Sequence, residues 1–208
     1  MDARPALIVL GAGRGSRFIG TEHKLLQGFG ESTVLGATLR NAISSRLPMV
    51  VVTTAPLADE ARRHVAARDV IVLPEPGSPG GAPIGMGHSI CAGVSARPDA
   101  AGWLILPADM PLVLPTTLQR VARELAHNAI AYAQYKGRRG HPVGFSAGLF
   151  SELIALAGDE GARRLIARYP GFGVNVDDAG TTIDIDTQAD LDRVREMAHS
   201  LGDSASAR

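Results

Sequence analysis

Residues Ala6 to Phe18, ALIVLGAGRGSRF, pass without a break from five apolar residues into a turn crowded with glycine and arginine. The apolar half reads as a strand buried on both faces, because no polar residue interrupts it. From Leu10 to Phe18, Gly11, Gly13 and Gly15 bring backbone N–H groups close to an anion, and Arg14 and Arg17 add charge and forked donors for phosphate oxygens. The other reading of the turn is a plain strand-to-helix connection with solvated arginines. The pattern is neither a dinucleotide fingerprint, since Ser16 stands where the last glycine belongs, nor a Walker A loop, since its closest frame, Gly15 to Thr21, has Gly20 but no lysine. Lys24, a few residues on, is a mobile third cation in this reading.

Further along, the apolar runs MVVVT, VIVL and WLIL alternate with the helix-like segments STVLGATLRNAISS, LADEARRHVAAR, HSICAGVSA and PTTLQRVARELAHN. Such alternation predicts an α/β doubly wound domain with a mostly parallel sheet. After AIAYAQY the pieces shorten, until TQADLDRVREMAHSL presents Leu191, Val194, Ala198 and Leu201 at helical spacing behind a Thr187/Asp190 capping box. The expectation is one domain over residues 1–201 and a frayed polar tail, GDSASAR, over 202–208.

The 21 basic and 21 acidic side chains cancel, which removes any global field for nucleic acid or an anionic membrane. One cysteine, Cys91, forms no internal disulfide, and no run approaches the roughly 20 apolar residues of a membrane span. A cytoplasmic protein is the default reading.

In an open α/β sheet, ligands bind at the carboxyl ends of the strands. Asp109, in LILPADMP, stands just past a strand, where a carboxylate suits Mg²⁺ beside a polyphosphate; the alternative is a cap for the helix near Pro115. In TTIDIDTQAD, Asp184 and Asp186 share one face of an extended segment and either completes a metal site, unless Asp186 caps the last helix. GMGHSICAG closes the long Gly/Pro stretch from Pro74. Gly85 and Gly87 would let a flat base lie against backbone, with Met86 and Ser89 nearby, although Ser89 also reads as a helix N-cap. KGRRGHPVGF and GDEGARRLIARYP are basic segments that fit either an anionic second substrate or a solvated surface, with Asp159 a candidate N-cap.

In order, LGAGRGSRF with Lys24, GMGHSICAG, PADMP, GRRGHPVGF, GDEGARRL and DIDTQADL resemble the motifs of molybdenum cofactor cytidylyltransferases, over Leu7 to about Val194. That resemblance implies a Rossmann-like nucleotide-diphospho-sugar transferase fold. It also implies transfer of CMP from Mg-CTP to the terminal phosphate of the molybdopterin cofactor, with release of pyrophosphate. Residues Leu10, Gly11, Ala12, Gly13, Arg14, Gly15, Ser16 and Arg17 would hold the triphosphate, and Lys24 the phosphates near the reacting centre. Arg17, Lys24 and Asp109 would be catalytic, and Asp109 with Asp184 or Asp186 would bind Mg²⁺. Gly85, Met86 and Ser89 would face the base, while Arg139, Gly140, His141, Asp159, Gly161 and Arg163 would face the acceptor. Ala12 stands where guanylyltransferase relatives usually carry glycine, which implies cytidine over guanosine. A molybdenum hydroxylase or its maturation factor is the implied recipient. Rival readings are a nucleotidyltransferase with a sugar phosphate or phospholactate-like acceptor, a GTP-using relative, and a non-catalytic carrier.

Overall fold

A computed structural model describes residues 4–13, 18, 22–75 and 85–206, with side chains as far as residue 200. The chain begins with strand β1 (Ala6–Leu10), a short antiparallel pair β2 (Gly28–Phe29) and β3 (Ser32–Thr33), then helix α1 (Val34–Ser44). Next come β4 (Met49–Thr54), α2 (Ala55–Arg62), β5 (Val70–Leu73), α3 (Met86–Ser95), β6 (Gly102–Pro107) and α4 (Pro115–Glu124). A hairpin of β7 (Ile130–Tyr135) and β8 (Arg138–Ser146) leads through α5 (Phe150–Ile154) and α6 (Arg163–Arg168) to β9 (Gly171–Asn175) and α7 (Gln188–Ser206).

The described strands form a seven-stranded sheet in the order β5-β4-β1-β6-β8-β7-β9. Strand β8 is antiparallel to both its neighbours, and the remaining pairs are parallel. The mostly parallel α/β architecture expected from the apolar runs is what the chain adopts. Strand β1 shows why: Leu7 and Val9 enter a core that contains residues of α1, α2, α4 and α7, while Ala6 and Ile8 enter the opposite core with residues of α3, α5 and α6. A strand buried on both faces favours apolar residues at every position.

Chain direction across the sheet reverses beside β1, because β4 and β5 extend to one side and β6 lies on the other. This is the switch point at which open sheets leave a crevice. Helix α1 is capped by the Thr33 hydroxyl, which accepts from the Gly36 N–H at 2.9 Å. Helix α7 starts on the expected capping box: Thr187 N–H donates to Asp190 Oδ2 at 2.8 Å, and Asp190 N–H to Thr187 Oγ1 at 3.2 Å. Leu191 and Val194 are fully buried and Ala198 packs beside them, whereas the side chain of Leu201 lies outside the described residues. Helix α7 continues to Ser206, into the segment read as a polar tail.

Candidate active site

The ends of β1 and β6 open into a cleft of about 970 Å³. Leu10 and Pro107 stand side by side in register, so the turn after one strand faces the turn after the other. Leu10, Gly11, Ala12 and Gly13 line the cleft, and the Gly11 N–H donates to the Val52 carbonyl at 2.7 Å. Arg14, Gly15, Ser16 and Arg17 lie outside the described residues.

His23, which the sequence reading passed over, ties the first turn to the segment carrying Lys24. Its Nδ1 accepts from the Leu25 N–H at 3.1 Å, so Nε2 carries the proton and donates to the Gly13 carbonyl at 3.2 Å. Burial holds the His23 pKa below its ordinary value, against the opposing pull of the Gly13 carbonyl.

Lys24 is pinned rather than mobile. Its Nζ donates to Asp109 Oδ2 at 2.7 Å, the Ile185 carbonyl at 2.8 Å and Asp186 Oδ1 at 3.0 Å, which occupies all three ammonium protons. Two carboxylates facing one half-buried point need a cation between them, and Lys24 supplies it. Burial alone would depress the Lys24 pKa, but the charge and hydrogen bonds of Asp109, joined by those of Asp186, outweigh it and hold the ammonium above its ordinary value.

Backbone bonds set these two acids side by side. Ala108 donates to the Leu10 carbonyl at 2.9 Å and its own carbonyl accepts from Thr38 Oγ1 at 2.8 Å, which fixes the residue before Asp109. The Ile185 N–H then donates to the Asp109 carbonyl at 3.1 Å and draws the Asp184–Asp186 segment against it. Buried Asp178, not foreseen, anchors the approach: it accepts from Leu114 N–H at 2.9 Å, Thr117 Oγ1 at 2.6 Å and Gly180 N–H at 3.1 Å. It therefore fills the capping role at α4 that was one alternative for Asp109, and Thr187 fills the one that was an alternative for Asp186.

Asp186 is the acid that meets Lys24; Asp184 is exposed and lines the same cleft. Asp109 Oδ1 is buried and has no hydrogen-bond partner among the described residues. A bare carboxylate oxygen beside a second carboxylate is a donor set that fits a hard divalent cation, whose other ligands are commonly phosphate oxygens and water. Among the described residues no group of three or more His, Cys, Asp or Glu is placed to hold a metal by itself.

On the far wall, β8 carries Arg139, Gly140 and His141 into the cleft. The register of β8 against β7 shifts here: Tyr132 pairs with Val143, but Gln134 pairs with Arg139. Residues 140–142 thus oppose Ala133 alone, and this bulge re-aims His141. Gly140 is needed because a Cβ there would overlap the Thr181 carbonyl. The His141 ring is half-buried, with Nδ1 unpartnered among the described residues. Burial lowers its pKa despite the Ile105 carbonyl and the charges of Asp109 and Asp184, so a neutral ring is favoured.

Gly85, Met86, Ser89, Asp159 and Arg163 also line the cleft. Ser89 is buried inside α3 and does not cap it, since Gly85 is the N-cap residue. Asp159 does not cap α6, which begins at Arg163 after Ala162. The Cβ positions of Gly85 and Gly87 face the neighbouring loop. A Cβ at Gly85 would overlap the Gly158 carbonyl, and one at Gly87 would stand 2.6 Å from the Ala157 oxygen. The Gly87 N–H donates to the Gly158 carbonyl at 2.9 Å and the Gly158 N–H to His88 Nδ1 at 3.2 Å, so the loop supplying Asp159 is bound to the first turn of α3. Gly161 does not line the cleft; its φ is +57°, and a Cβ there would meet Met86 Sδ at 3.0 Å.

Residues 7–172 match the model of the MobA-like NTP transferase domain. The chain belongs to that family. As a MobA-like nucleotidyltransferase it has both Lys24 and Asp109 within the matched span, whereas Asp186 follows it. The likeness to the purine catabolism protein PucB of Bacillus subtilis extends further, at 32% identity over 203 residues, covering 90% of this chain and 94% of PucB. Among solved structures, Rv0371c of Mycobacterium tuberculosis is similar at TM-score 0.79 and 28% identity, over 93% of this chain and 98% of that one. A complex of Rv0371c with manganese is similar at TM-score 0.77 and 28% identity, over 94% and 100% of the two chains. No described helix is long and apolar enough to cross a membrane.

Proposed function

We propose that this nucleotidyltransferase transfers CMP from CTP to the terminal phosphate of the molybdopterin cofactor, with Mg²⁺ as the divalent cation. The observation that carries the nucleotidyl-transfer chemistry is the convergence of Lys24, Asp109 and Asp186 at the β1/β6 switch point, with one Asp109 oxygen bare. An oxygen of the acceptor phosphate forms a bond to the α-phosphorus, the bond from that phosphorus to the β-phosphate oxygen breaks, and pyrophosphate leaves. Both reactants are anions, so positioning and charge neutralisation supply most of the catalysis and no covalent intermediate is needed.

Asp109 and Asp186 would hold the metal, which supplies charge neutralisation at the phosphates. Manganese in the Rv0371c complex supports a divalent ion in this reading. Lys24, released from the acids, would donate to phosphate oxygens, and Arg14 and Arg17 would receive the triphosphate. The acceptor would lie toward Arg139, His141 and Arg163; Arg139 and Arg163 line the cleft and make no ion pair among the described residues. The acceptor phosphate attacks already ionised, so a neutral His141 has no proton to remove and orients the acceptor instead. Ala12 supports cytidine as the base. Molybdopterin rests on the order of motifs from LGAGRGSRF to DIDTQADL, and a cytoplasmic enzyme serving a molybdenum hydroxylase follows from it.

The test is pyrophosphate release with Mg²⁺, molybdopterin and each of the four ribonucleoside triphosphates in turn, with molybdopterin omitted as the control. Release with CTP alone is expected. Release with GTP alone would overturn the base assignment, and silence with all four would overturn the acceptor.

A further inference from the structure

The Arg139 guanidinium lies over the ring of Tyr132, 4.2 Å from its centroid. Arg139 has no carboxylate partner among the described residues, so this ring is the group that fixes where its charge sits. The contact is built into the sheet. The bulge in β8 moves Arg139 into register with Gln134, which places it diagonally from Tyr132 on the neighbouring strand. On the other side of β7, Tyr132 pairs with Gly173; Gly171 in β9 makes room for the ring, while Gly173 chiefly makes room for the Gln134 side chain, whose Oε1 a Cβ there would overlap. A Cβ at Gly171 would stand 3.0 Å from Tyr132 Cε1, and one at Gly173 would stand 3.3 Å from Cε2.

We propose that Tyr132 is a positioning residue for the acceptor: its ring face holds the Arg139 guanidinium at the cleft so that the fork meets the acceptor's phosphate without first being ordered. This rests on the reading that Arg139 faces the acceptor. An arginine free to rotate loses side-chain entropy when it binds an anion, and a preformed stack removes much of that loss. The hydroxyl of Tyr132 has no part in the role; the ring face does.

Three variants, Tyr132→Leu, Tyr132→Phe and Arg139→Met, separate the possibilities, with thermal melts confirming that each is folded. Tyr132→Leu is expected to raise the KM for molybdopterin by about 3-fold to 30-fold, the span of a cation–π contact, while the KM for the nucleotide holds. Tyr132→Phe restores the acceptor KM, and Tyr132→Leu adds nothing in the Arg139→Met background. A second readout needs no acceptor: phenylglyoxal labelling of Arg139, followed by mass spectrometry, should be several-fold faster in Tyr132→Leu than in the wild type or Tyr132→Phe. Equal labelling in all three proteins overturns the positioning role, as does a Tyr132→Leu effect on KM that survives in Arg139→Met. If labelling changes but Arg139→Met keeps the wild-type acceptor KM, the acceptor role of Arg139 is what falls. A wild type silent with molybdopterin overturns the functional reading, and the labelling comparison still decides the contact.

Discussion

Replacing Lys24 with methionine removes the ammonium and keeps the length of the side chain. Asp109 then loses its Oδ2 partner while Oδ1 has none among the described residues, and Asp186 loses one of its partners. Removing one partner of a fully buried pair costs about 3–5 kcal/mol. Here the three side chains retain 11%, 17% and 23% of their exposure, so water reaches the acids and about 2–3 kcal/mol is the expected loss at pH 7. For a chain of this size that is a fall in Tm of about 5–10 °C. The assay is thermal unfolding in EDTA, repeated with Mn²⁺. Mn²⁺ should stabilise Lys24→Met more than the wild type, in which the ion must first displace Lys24; saturation at 100 times Kd is worth about 2.7 kcal/mol. The folded Lys24 pKa is raised, so its contribution is complete below the ordinary value of 10.5 and is lost as pH rises through the folded value. The two stability curves should therefore converge at the alkaline end. A variant as stable as the wild type in EDTA would refute the three-way contact, and Mn²⁺ that stabilises neither protein would refute the metal role of the acids.

Asp109→Asn keeps the shape of the side chain and removes its charge; turnover should fall about 100-fold or more with the melting curve of a folded protein, and unchanged turnover would remove Asp109 from the site. Gly87→Ala drives a Cβ to 2.6 Å from the Ala157 oxygen, so urea unfolding should show about 1–3 kcal/mol lost at constant m, and a neutral result would contradict the close packing of α3 on the Asp159 loop. Because burial lowers the folded pKa of His141, its contribution is complete above about pH 6.5 and is lost as pH falls through the folded value. His141→Gln should flatten the acid limb of stability against pH, and an unaltered limb would contradict a ring buried in its neutral form.

The sheet was legible because burial on both faces leaves a local trace: ALIVL, MVVV and WLIL are apolar throughout. The last helix was legible for a similar reason, since Thr187 and Asp190 are three residues apart and cap within one turn. Lys24 left no such trace. Its partners are 85 and 162 residues away in the chain, and only the β1/β6 switch point and the bond from Ile185 to Asp109 bring them together. Asp178 was illegible for the same reason: its partners Leu114 and Thr117 are 64 and 61 positions away, and its local bond to Gly180 says nothing of them.

Glycine shows where residue type ends as a guide. The GMGHS segment reads as a place where a ligand could approach the backbone, but a missing side chain does not say which neighbour requires its absence. In Gly85 and Gly87 that neighbour is the 157–158 backbone. The consequence reaches function, because the loop holding Asp159 and the turn holding Met86 are one packed unit, joined by the Gly87–Gly158 and Gly158–His88 hydrogen bonds. Whatever binds against Met86 and whatever binds against Asp159 meet walls that cannot move independently without breaking those bonds. The order of motifs along the chain reveals the parts of such a site, while the backbone contacts between distant parts decide which of them move together.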